Sequence, residues 1–88
     1  MERVEVDLFT DGGNNAVVRM PGRQFPGVLI QGDSLSALRR DVVEIRDALR
    51  AGDTAEALDA ADFLVADLDA LLLRYADALD RHGLRRPF

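Results

Sequence analysis

An α+β fold of order β-β-β-α-α is predicted by three observations. Apolar and charged residues alternate near the N-terminus, and clusters of Gly, Pro, Asp and Asn then cut the next stretch into short pieces. Apolar residues recur at three-four spacing through the rest. The prediction is a three-stranded antiparallel sheet over 1–31, then an antiparallel two-helix hairpin with helix one over 34–51 and helix two over 54–82. All of it is expected in one domain.

The first strand rests on Val4, Val6 and Leu8 alternating with Arg3, Glu5, Asp7 and Phe9, which gives it one apolar face. Asp11-Gly12-Gly13-Asn14-Asn15 is a run of turn formers that tolerate positive φ. Ala16 to Met20 reads as the second strand, paired with the first as a hairpin. Pro21 to Gly27 carries two proline turn signals and is excluded from a central strand. Val28 to Gln31 is a short third strand.

Asp33 or Ser34 is the expected cap of helix one, whose stripe is Leu35, Leu38, Val42, Ile45 and Leu49. Gly52 supplies the stop at the position after the C-cap. Asp53 to Glu56 resembles a capping box opening helix two. Leu58, Ala61, Val65, Leu68, Leu72, Tyr75 and Leu79 form its stripe, widened by Leu64, Leu71 and Ala78, and it is expected to end near His82-Gly83. Helix two is then ~43 Å long and helix one ~25 Å, so the first cannot cover the second. The overhang at Leu71, Leu72, Tyr75 and Leu79 is the expected surface of self-association, as a homodimer. Cover by the chain's own sheet is the alternative.

The chain has 88 residues, a length at which the core is thin and oligomerisation is a common remedy. It has no cysteine and one histidine, His82, which excludes disulfides and thiolate or His-rich metal sites; no cofactor is expected. A net charge of −5 disfavours direct nucleic-acid binding. No apolar run approaches the ~20 residues of a membrane span, and the N-terminus lacks a signal-peptide pattern, so the expected location is cytoplasmic. All basic residues are Arg, which with abundant Ala, Asp, Gly and Leu points to a GC-rich bacterial genome such as an actinobacterium.

No catalytic constellation stands out. The glycines lack the Lys and the strand-to-helix setting of a phosphate loop. Asp59, Asp62 and Asp69 lie opposite the apolar stripe, where a solvated helix face explains them. Ser34 and Ser36 have no base nearby in sequence, and His82 reads as a helix-end residue. Phe63, Tyr75 and Phe88 read as packing residues, because base stacking needs a basic groove.

The most distinctive stretch is Pro21 to Leu38. With Val17-Val18, its Pro21, Pro26-Gly27, Gly32-Asp33-Ser34, Leu35 and Leu38 follow an order that resembles the core of HicB-type antitoxins, which have a partial RNase H-like fold. The resemblance covers residues 17–38. It lacks the acidic residue before the Pro-Gly, where Gln24-Phe25 stand, and Ser36-Ala37 replaces Glu-Ala. A long second helix stands where a final strand would be. A small actinobacterial family of similar length is a second resemblance.

Turn and capping needs explain these residues structurally. Functionally, the loop suggests a partner-binding surface of Arg23, Gln24 and Phe25 beside Gln31 and Asp33. The function expected is thus a small acidic protein–protein interaction module, antitoxin-like, immunity-like or regulatory, with a basic protein as a fitting partner. Two alternatives stay open. One is a small enzyme or ligand binder with a pocket between sheet and helices, where Arg19 and Arg23 hold an anion. The other is a structural oligomerisation domain.

Overall fold

The structure, a computed structural model, describes residues 1–88. Its elements are β1 (Asp7–Leu8), β2 (Val17–Arg19), β3 (Gly27–Val28), α1 (Gly32–Arg50) and α2 (Thr54–Arg81), the predicted α+β order. They fall into two compact units, Met1–Ile30 with Leu71–Phe88, and Gln31–Ala70.

In the first unit the sheet is antiparallel in the order β1-β2-β3. Asp7 faces Arg19 and Leu8 faces Val18, while Val17 faces Val28 and Val18 faces Gly27. The Phe9 N–H donates to the Val17 carbonyl at 2.9 Å and the Leu29 N–H to the Ala16 carbonyl at 2.8 Å, which carries the ladder one residue further. Opposed residues share a face, so Phe9, Val17 and Val28 lie together on one side. That side packs on Tyr75, Ala78 and Leu79 of α2, with Leu84 beside them.

The face of the first strand is therefore the reverse of the one its alternation suggests. Val4, Val6 and Leu8 are exposed, and Phe9 is the residue turned to the core. The reason is register. The Thr10 hydroxyl accepts from the Val17 N–H at 3.1 Å, and with the Phe9 bond this fixes Val17 inward. A choice of one residue decides the face of the whole strand.

The supposed overhang is corrected in the same unit. Leu79 and Tyr75 are 0% and 5% exposed and belong to the chain's own core, so neither offers a surface for a second copy. Leu71 is half-buried and Leu72 exposed. The short strands reach this far because loop residues help. Buried Pro26 accepts the Tyr75 hydroxyl at its carbonyl, at 2.8 Å, and Phe88 stacks on the Tyr75 ring at 6.0 Å.

In the second unit α1 begins earlier than expected. The Leu35 N–H already donates to the Gln31 carbonyl at 2.9 Å, so Gln31 is the N-cap and makes no side-chain cap bond. Asp33, an expected cap, lies inside the first turn, where its carboxylate accepts from the Ser34 N–H at 2.8 Å and suits the helix dipole. The far end follows the prediction. Gly52 has φ +75°, its N–H donates to the Leu49 carbonyl, and the Asp53 N–H donates to the Ala48 carbonyl, a Schellman ending. Asp53 then caps α2 by accepting from the Glu56 N–H at 3.0 Å. Glu56 does not complete a capping box, because the Asp53 N–H is already held by Ala48.

Candidate interaction surface

The turn at Gly52-Asp53 sets α1 and the first part of α2 side by side. A groove between them is lined by Arg40, Glu44 and Asp47 from α1 and by Asp53 and Glu56 after the turn. Its continuation joins Glu44 to Asp59 and Phe63. This side of the hairpin is charged and mainly acidic.

The other side is apolar. Residues two apart on a helix point about 200° apart. Glu44 and Glu56 mark the charged side, so Val42 and Leu58 lie opposite. Leu35 and Leu49 are each seven residues from Val42, and Val65 is seven from Leu58, which keeps them on the same lines to within about 20° per step. The structure agrees, since Leu35, Leu38, Val42 and Arg39 line one apolar groove along α1. Leu35, Val42, Leu49, Leu58 and Val65 are between 53% and 62% exposed.

This face is unfinished for a helix pair. No residue of α1 is buried. Leu38 and Ile45 reach only half-burial, and in this part of α2 the small Ala57 is the buried side chain. An amphipathic helix in a packed unit normally buries its stripe. Here each stripe is only partly spent on the neighbouring helix.

The residues expected to bind a partner lie elsewhere. Arg23 and Gln24 are exposed beyond a turn in which the Arg23 N–H donates to the Met20 carbonyl and Gly22 has φ +76°. Phe25 is half-buried, not free in solvent. Gln31 and Asp33 are exposed at the start of α1. Arg19 is engaged: its guanidinium donates twice to one Asp7 oxygen, at 2.9 and 3.0 Å, and its Cζ lies 5.3 Å from the centre of the Phe9 ring. Phe9 in turn packs on His82 at 4.8 Å, and the His82 Nδ1 is 2.8 Å from the Ala78 carbonyl.

Sequence reasoning missed Arg74. Its guanidinium donates to the Asn15 carbonyl and to Asp11 Oδ1, both at 3.3 Å, and so holds the first turn against α2. Asn15 sits at φ +60°, where its carbonyl can meet that donor. Its own signal was a charged residue set within an apolar stripe.

No group of three or more His, Cys, Asp or Glu is placed to hold a metal ion. No helix is long and apolar enough to cross a membrane. A family model matches the chain over residues 1–88. The chain belongs to the DUF6959 family. That family's function is unknown, so its signature carries no activity over to these residues. No curated protein and no solved structure matches the chain.

Proposed function

We propose that this DUF6959 chain is a small protein–protein interaction module whose binding surface is the apolar face of its helical hairpin. The observation that carries this is a helix with no fully buried residue: α1 exposes Leu35, Val42 and Leu49 on one line, beside Leu58 and Val65 of α2. Contiguous apolar surface on this scale marks an interface in most folded chains. A regulatory or neutralising role, antitoxin-like or immunity-like, is the form supported by the HicB-type resemblance of residues 17–38. A pocket enzyme using Arg19 and Arg23 is the weaker reading, because Arg19 is already committed to Asp7 and Phe9.

The test is photo-crosslinking in cells, with benzoylphenylalanine placed at Val42 and, as control, at Glu44 on the opposite side. A discrete adduct of defined mass from Val42, weak or absent from Glu44, is the expected result. No discrete adduct from Val42, or the same pattern from both positions, would overturn the proposal.

A further inference from the structure

The border of the apolar face says what fits it. Arg39 and Arg46 lie three or four residues from Leu35, Val42 and Leu49, on the rim of α1 away from α2. Asp62 and Asp69, expected on a solvated face opposite the apolar stripe, instead border it, in the same relation to Leu58 and Val65 on α2. All four are exposed. Arg39, Asp62 and Asp69 make no ion pair, and Arg46 has only its exposed neighbour Asp47, at 3.2 Å. One edge of the face is thus basic and the other acidic.

We infer that the occupant of this face is a second copy of the chain, related by a two-fold axis parallel to the helices, with α1 of each copy lying on α2 of the other. This rests on the reading of the apolar face as a binding surface. The rotation carries the acidic edge of one copy onto the basic edge of its mate, so the surface is complementary to itself. The alternative two-fold, α1 on α1, sets Arg39 and Arg46 against themselves and Asp62 and Asp69 likewise.

The heights along the helices agree. At 1.5 Å per residue, Arg46 stands about 9 Å from the Gly52 turn and Asp62 about 15 Å, with Arg39 about 20 Å and Asp69 about 25 Å. Side chains lean toward their own helix N-terminus, away from the turn on α1 and toward it on α2. Arg46 therefore leans to Asp62 of the mate, and Arg39 to Asp69. Between the edges, Leu49 with Leu58 and Val42 with Val65 form levels to which each copy contributes one pair. The five apolar side chains expose roughly 500 Å² per copy, and with the charged rims this approaches the ~800 Å² that each side of a standard interface buries.

Sedimentation velocity of the full chain from micromolar to 200 µM is the test, with two charge-reversed variants checked for unchanged helicity by circular dichroism. The wild type is expected at twice its 9.7 kDa mass. Arg39→Asp with Arg46→Asp, and Asp62→Arg with Asp69→Arg, should each dimerise about tenfold more weakly or worse, since four exposed pairs turn repulsive. An equimolar mixture of the two should regain wild-type affinity as a heterodimer. A wild type that stays monomeric at 200 µM would overturn the inference; if the Val42 probe still captured another protein, the interaction reading would stand without it. Variants that dimerise as the wild type does would overturn the pairing of α1 with α2.

Discussion

Tyr75 carries a large share of the first unit's specificity. Its ring lies in the core with Val17, Ala78 and Leu79, and its hydroxyl satisfies the Pro26 carbonyl. Removing the hydroxyl by Tyr75→Phe strands that buried acceptor, and the expected loss is about 1–2 kcal/mol in urea unfolding. Truncating fully buried Leu79 to Ala should cost more, about 2–5 kcal/mol, because it opens a cavity. The Tyr75 phenol also gives a pH signature, since burial pushes its pKa above the ordinary value near 10. The unfolded chain then releases this proton first. The contribution is complete below pH 10 and is lost as pH rises through the folded pKa, while Tyr75→Phe should lack that alkaline loss. Tyr75 is the sole tyrosine, so its absorbance titration reads this group alone. The stripe that contains Tyr75 and Leu79 was legible in the sequence, but what covers it was not. Pro26 is 49 residues away from Tyr75, and Asn15 is 59 from Arg74. No local pattern encodes such partners.

Helix ends were the most legible elements, because caps are local chemistry. Gly52 and Gly83 both end helices at positive φ, and the second ending repeats the first, with the Gly83 N–H on the Asp80 carbonyl and the Leu84 N–H on the Leu79 carbonyl. Gly52→Ala and Gly83→Ala are each expected to lower stability by about 1 kcal/mol. Gly32→Ala is the contrasting case: that site has open space for a Cβ and no positive φ, so stability should hold or rise slightly. Asp53→Ala removes the cap of α2 and should cost about 1 kcal/mol, read from the same urea midpoints. The strands were less legible. Their existence followed from alternation and turn residues, but the buried face of β1 was settled by the pairing of Phe9 with Val17. The start of α1 was misplaced for a related reason: Asp33 is a good cap by type, but the backbone bond to Gln31 had already begun the helix.

Across the whole chain, the apolar surplus predicted from helix lengths is present but lies elsewhere. Counting residues past the reach of helix one pointed to Leu71, Leu72, Tyr75 and Leu79. The sheet's loops and Leu84 take up Tyr75 and Leu79, whereas α1 leaves its stripe open. The stripe residues themselves were all legible; which of them face solvent depends on how two helices share their faces, and sequence spacing alone leaves that undetermined. The resulting claim is that Val42 of one copy meets Val65 of another. The chain contains no cysteine, so single cysteines can be placed without background. Val42→Cys and Val65→Cys chains, purified apart, mixed and oxidised, should yield a disulfide-linked dimer on a non-reducing gel that neither chain forms as readily alone. A mixture that stays unlinked, or one that links no better than Glu44→Cys mixed with Glu56→Cys from the charged side, would contradict the account.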